Sequence, residues 1–190
     1  MVYFFSFTID GNVLFRTQVQ SLQCTEPTKK GTRCKRRCVI GSAFCCTHLA
    51  YNHHLKIKES TLPNAGLGLF AKDPLSQNPN EVIFKTGDKI VEYQGELINE
   101  DELIRRYQDK TPPYVVGISK DHYEDGAKYR GVGALANTKP NHNNATLSIY
   151  RGRASLKATK PIHNGEEIFL SYGKQYKLNQ PGVVSTTSKR

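Results

Sequence analysis

No apolar run in the 190 residues approaches the ~18 that a bilayer requires, which excludes a membrane-spanning helix. The opening segment, MVYFFSFTIDGN, carries no basic leader and soon meets Asp10-Gly11, so a secretory signal is not expected. Cysteine is missing after Cys46: all five lie between Cys24 and Cys46. A disulfide framework would spread along the chain, so a reducing, intracellular compartment is expected. There is no internal repeat. Acidic residues are few, 17 against 27 basic ones, and the net charge is +10. That excess suits an acidic partner such as nucleic acid, or a basic-tail substrate held by acidic groups elsewhere; charge alone does not choose. A hydrophobic content of 37% excludes a wholly disordered chain.

Four pieces follow from the pattern. Residues 1–20 predict a β-hairpin: Phe5, Phe7 and Ile9 alternate, Asp10-Gly11-Asn12 supplies a turn, and Val13-Leu14-Phe15 resumes the apolar run. Residues 21–55 form a Cys/His module rich in Lys29, Lys30, Arg33, Lys35, Arg36 and Arg37. Residues 56–178 carry short β-like runs at 91–93, 114–116, 147–150 and 167–170, separated by Gly, Pro and Asn clusters. One helix is predicted, with Asn99 as its cap, Glu102 completing a capping box, and Leu103, Ile104 and Tyr107 on one face. Residues 179–190 read as a polar, flexible tail.

The cysteines and histidine are spaced Cys24-x9-Cys34-x10-Cys45-x2-His48. Three thiolates and an imidazole suit a closed tetrahedral zinc site, whose metal would supply the folding energy that so small a module cannot draw from a core. Cys38 and Cys46 are left over, and either could replace a ligand. The basic loop between the ligands reads as a nucleic-acid or nuclear-import element, or as a solvated face. The stretch TKKGTRCKRR resembles short zinc modules of giant-virus and plant proteins. The other five histidines show no ligand spacing and read as surface residues.

Three further segments, in order, carry a second resemblance. They are NAGLGLFA from Asn64, KTGDKIVEYQGE from Lys85 and GEEIFLSYG from Gly165, with NTKPNHN from Asn137 just upstream of the last. Together they resemble the SET-domain protein-lysine methyltransferases. With Gly131-Val132-Gly133-Ala134, Ser171-Tyr172-Gly173 and Tyr176, the likeness is strongest to the short SET proteins of large DNA viruses.

The resemblance implies a mainly β fold of short strands in small sheets with a knot-like C-terminal segment. It implies S-adenosyl-L-methionine as cofactor, held by Gly66, Leu67, Gly68, Asn137 and Thr138, with Tyr172 as the active-site tyrosine. Glycine would let the backbone approach the cofactor closely. Tyr93, Tyr114, Leu170 and Tyr176 would line the substrate-lysine channel, although Tyr93 and Tyr114 could equally be core. A histone tail is the implied substrate, in the nucleus of a host cell. Glu92, Glu96, Glu100, Asp101, Glu102, Asp121, Glu124 and Asp125 would form an acidic surface for it, or equally a solvated face.

The chain departs from the family pattern where Thr138 replaces His, His142 replaces Pro, and Ala134-Leu135 replaces Arg-Phe. Extra residues lie near Ser76–Phe84, and no cysteine-rich segment follows Tyr172. Tyr176 with the tail, or a second subunit in a homodimer, would then close the channel. Leu170 lacks a hydroxyl to hold water beside the lysine nitrogen, which favours at least dimethylation. A contrasting reading is a chromatin- or nucleic-acid-binding protein with an inactive SET domain.

Overall fold

The computed structural model describes residues 2–9, 12–20, 22–39, 42–108, 110, 112, 114–128 and 130–172, with side chains from residue 22 onward. Tyr176 and the expected tail lie outside the described residues. The first two strands, β1 (Val2–Ile9) and β2 (Asn12–Gln20), pair antiparallel from Val2 opposite Gln20 to Ile9 opposite Asn12. Helix α1 (Cys46–His53) follows the Cys-rich segment. Then come β3 (Leu55–Glu59), β4 (Leu67–Ala71), β5 (Val82–Phe84), β6 (Lys89–Glu92) and β7 (Glu96–Asn99). Helix α2 (Glu100–Tyr107) leads to β8 (Val115–Ser119), β9 (His122–Asp125) and a 3-10 turn at Val132–Leu135. The chain continues through β10 (Ala145–Tyr150), β11 (Arg153–Ala158) and β12 (Ile162–His163).

The strands form small sheets, ordered β10-β11-β6, β7-β9-β8, β3-β4 and β12-β5. None is large enough to bury a face by itself. Their apolar faces meet in one core containing Leu55, Leu69, Ile90, Leu156, Ile162 and Ile168. The expected mainly β architecture is therefore present.

Several local expectations are corrected. Residues 167–170 form no regular strand. They make two isolated bridges, Glu167 antiparallel to Phe70 and Leu170 parallel to Ala145. The segment changes partner midway, leaving β4 for the start of β10, so neither ladder grows. Helix α1 carries no sequence signal of its own: its N-cap is Cys45 without a side-chain bond, its first turn has no acid, and only Leu49 is buried. Asn99 does cap α2, accepting from the Glu102 N–H at 2.9 Å. The Glu102 carboxylate does not bond back to Asn99, because Arg105 and Arg106 engage it. Ile104 is exposed, while the buried side of α2 carries Arg106 and Tyr107.

That side explains why Glu124 and Asp125 do not belong to an acidic surface. Both are fully buried. Asp125 accepts from Arg106 Nη1 at 2.8 Å, from the Tyr107 hydroxyl at 3.1 Å and from the Ala127 N–H at 2.8 Å. Glu124 accepts from the Gly95 and Ala154 N–H groups at 2.9 and 2.8 Å. These carboxylates tie α2 and β6–β7 to β9 and β11. Removing one side of a buried charge pair leaves the other uncompensated. Asp125→Ala should therefore lower the unfolding free energy by about 3 kcal/mol in urea titration. Lys89→Ala, which breaks an exposed pair with Glu92, should change it by less than about 1 kcal/mol.

Candidate active site and metal centre

The C-terminal segment and the residues before β4 meet at one buried carboxylate. Glu167 is 4% exposed, and side-chain and backbone donors surround its two oxygens. Ser60 Oγ donates at 2.7 Å, the Thr61 N–H at 2.7 Å and Thr61 Oγ1 at 2.5 Å. Asn137 Nδ2 donates at 3.2 Å. Burial pushes this carboxyl up, but the bonds from Thr61, Ser60 and Asn137 outweigh it and hold it below its ordinary range.

This arrangement adds a structural reason for the glycines. A Cβ on Gly68 would overlap the Glu167 carboxylate and come within 3.3 Å of Asn137 Nδ2. Gly68 is thus required by a protein side chain, independently of any ligand. Gly66 is needed for a different reason, its φ of +70°, and open space adjoins it, since an added Cβ would meet nothing within 4 Å. Leu67 between them is half exposed.

Asn137 stands directly against this segment. Its Nδ2 also donates to Leu67 O at 3.1 Å. Both amide hydrogens are therefore turned toward acceptors, and Oδ1 is left as an acceptor. Its backbone O accepts from the Leu170 N–H at 2.7 Å. One residue earlier, Ala136 O accepts from the Tyr172 hydroxyl at 2.9 Å. The structure thereby gathers Gly66, Leu67, Gly68, Asn137, Leu170 and Tyr172. Thr138 is half-buried beside them and its hydroxyl lies 3.4 Å from Asn143 Oδ1.

The tyrosines expected to line a channel lie on the core side. Tyr93 is 5% exposed and donates to Tyr114 O at 3.0 Å. Burial, then the neighbouring Tyr172, push its hydroxyl well above its ordinary range, so it stays neutral. Tyr114 and Tyr172 are partly buried and pack on the core that contains Tyr93. The Arg130 guanidinium lies 3.7 Å from the Tyr114 ring centroid. Gly131 and Gly133 keep the 3-10 turn close to this wall: a Cβ on Gly131 would come within 2.5 Å of Tyr93 O.

Two polar residues escape a reading by motif. Glu167 sits within GEEIFLSYG, where the resemblance assigns it no role; an acid before three apolar residues is the signal that it enters the core. Asn144 is 1% exposed, accepts from the Phe169 N–H at 2.8 Å and donates to Glu167 O at 2.9 Å. It stands just beyond the end of NTKPNHN, outside the segment that carries the resemblance.

The second cluster forms where the Cys-rich segment meets α1. Ligand atoms of Cys24, Cys34, Cys45 and His48 all lie within 4.8 Å of one another. His48 Nδ1 is 3.3 Å from Cys24 Sγ and 3.6 Å from Cys45 Sγ. Tetrahedral zinc with ordinary bond lengths would separate sulfur from nitrogen by about 3.5 Å, so the donor set fits that ion. The helical start puts Cys45 and His48, three residues apart, on one face. Burial pushes the Cys45 thiol up, but the His48 and Thr47 N–H groups and the Cys24 thiol outweigh it and leave it below its ordinary value. Cys38 is buried beside the four but outside the set, and Cys46 is exposed.

If the Glu167 carboxylate organises the first cluster, Glu167→Gln should loosen it. The amide cannot accept from all of these donors at once, and a buried donor left unpaired costs about 1–3 kcal/mol. Because the folded carboxyl is held low, its stabilisation is complete above the ordinary carboxyl range and is lost as pH falls through the folded value. Thermal melts of wild type should therefore drop more steeply on acidification than those of Glu167→Gln.

The SET domain family model matches residues 66–173. No curated protein matches. Among solved structures, the Chaetomium thermophilum polycomb repressive complex 2 is similar at 27% identity and a TM-score of 0.52. The alignment covers 67% of this chain and 16% of that one. A structure of ctPRC2 in an autoinhibited conformation bound to S-adenosylmethionine gives 26% identity, TM-score 0.52, and 68% and 16% coverage. An active polycomb repressive complex 2 in the basal state gives 29%, 0.51, 63% and 15%. This chain thus spans about a sixth of the length of those chains. The ordered motifs, the small antiparallel sheets and the matched residues agree: the chain belongs to the SET domain family.

Proposed function

We propose that this chain is an S-adenosylmethionine-dependent protein-lysine N-methyltransferase acting on a histone tail, with a structural zinc in its N-terminal module. The observation that carries the reading is the meeting of Asn137, the Gly66–Gly68 segment and Tyr172. Membership of the SET domain family, and similarity to a structure of ctPRC2 bound to S-adenosylmethionine, support the cofactor. S-adenosylmethionine supplies, when bound, a methyl group on a positive sulfonium.

The chain's own residues would do the rest. Open space beside Gly66 and the free Oδ1 of Asn137 suit a ligand that offers hydrogen-bond donors. The Tyr172 O–H is committed to Ala136 O, so its oxygen lone pairs can meet weakly acidic C–H groups and orient a methyl. Neutral Tyr93, packed with Tyr114, would supply an aromatic wall for an alkyl stem and its amine. The amine must lose a proton, and its solution pKa is about 10.4. Desolvation beside a positive charge lowers that value. Much of the rate would come from in-line alignment.

A basic peptide agrees with the exposed Glu92, Glu100, Asp101 and Asp121; the other four acids are half-buried or buried in ion pairs and hydrogen bonds. The likeness to SET proteins of large DNA viruses, and a host nucleus as compartment, rest on motif resemblance alone. Among the described residues no helix is long and apolar enough to cross a membrane.

Binding of S-adenosylmethionine by calorimetry tests the reading first; its absence would favour a non-catalytic binding protein. Tyr172→Phe should reduce turnover by on the order of 100-fold while changing cofactor affinity far less. Mass spectrometry of a peptide under excess cofactor should show at least two methyl groups, because buried Leu170 has no group to anchor a blocking water; product stopping at one methyl overturns that argument. Metal analysis should find about one zinc per chain, lost in Cys34→Ser with cofactor binding spared.

A further inference from the structure

We infer that the ribbon formed by residues 22–38 is a docking surface for the phosphate backbone of duplex DNA. It is separate from the SET-domain site and does not depend on the methyltransferase reading. The backbone doubles back on itself: Gln23 bridges Arg37, and Pro27 bridges Arg33. The turn between them is closed by Gly31 N–H to Thr28 O at 2.9 Å and Thr28 N–H to Thr32 O at 2.7 Å, with Gly31 at φ +75°. Lys29 and Lys30 stand at this ordered tip.

Along the returning limb, Cys34 and Cys38 turn into the cluster while Arg33, Lys35 and Arg37 alternate with them and are exposed. Three cations of this limb therefore stand at solvent-exposed positions while its two cysteines are buried. Arg33 is held across the ribbon, donating to Cys24 O and Gln23 O at 3.1 Å each. Arg36 is fastened to Thr47 Oγ1 on α1. Lys29, Lys30 and Lys35 make no hydrogen bond or ion pair among the described residues. The only acid between residues 22 and 53 is Glu26. It is turned toward α1, accepting from Asn52 Nδ2 at 2.8 Å and lying 3.6 Å from His53 Nε2.

The result is a positive line on a stiff support, whose one acid, Glu26, faces α1. Such a surface gains by releasing the counterions condensed on a polyanion. Residues 22–43 contain no aromatic side chain, so the ribbon has no platform on which unpaired bases could stack. That favours a duplex, whose phosphates are presented without unstacking, over a single strand.

Fluorescence anisotropy with the zinc-loaded full chain and a mixed-sequence DNA duplex over a salt series tests this. Wild type should bind at low salt, with affinity falling steeply as salt rises. The variant Lys29→Gln/Lys30→Gln/Lys35→Gln should bind more weakly, and its log–log salt slope should be shallower by about 0.9 for each phosphate that is no longer neutralised, up to about 2.7. Its zinc content and thermal stability should match wild type, which shows that the module remains folded. An unchanged slope, no binding at low salt, or tighter binding to single-stranded RNA, polyglutamate or anionic vesicles would overturn the proposal.

Discussion

One buried carboxylate ties together distant stretches of the SET-family unit. Glu167 joins the Ser60–Thr61 turn to the Asn137 amide, stretches far apart in the chain, and sits against Gly68 in β4. The sheets around it are two- and three-stranded and cannot fix one another by long ladders. A charged acceptor with several donors can, because charge-assisted bonds are shorter and stronger than neutral ones and an unpaired buried charge is costly. The same device recurs at Asp125 and Glu124, which lock α2 and β7 to the sheet interior. Asn144 plays the neutral version, clipping the C-terminal segment at Phe169 and Glu167.

The N-terminal module draws its order from elsewhere. Its cysteines form a small cluster of their own, apart from the main apolar core. Helix α1 belongs to both regions: its N-terminal turn supplies His48 to the ligand set, and Leu49 joins the core of the larger unit. His54, in the left-handed region at φ +52°, ends the helix, and its carbonyl accepts from the Lys72 N–H at 2.8 Å. The helix thus leads from the ligand set into β3, which pairs with β4 from Leu55 opposite Ala71 to Glu59 opposite Leu67.

Much of this is legible in the sequence. The four metal-ligand candidates, the hairpin strands, the Asn99 cap and the ordered SET motifs all rest on local spacing. What local spacing does not show is destination. Glu124 and Asp125 look like surface acids because nothing nearby in sequence announces Arg106 or the Ala154 N–H. The segment 167–170 has strand composition, yet it is shared between two partners and becomes a strand of neither. Helix α1 lacks the N-cap bond and the apolar stripe by which helices are found, since Leu49 alone is buried and much of its anchoring comes from the Cys-rich segment.

The amino-acid sequence by itself determined the chemistry on offer: three thiols and an imidazole at ligand spacing, a run of cations between them, and the glycine, asparagine and tyrosine motifs of the SET domain family. Tertiary structure alone decided how those groups are used. It seated Glu167 against Gly68, directed both Asn137 hydrogens toward protein acceptors, and committed the Tyr172 hydroxyl to Ala136 O. The physical reason is that each of these outcomes depends on a partner at least 30 residues away. Side-chain type sets what a group can bond to, and only the packed chain sets what it meets.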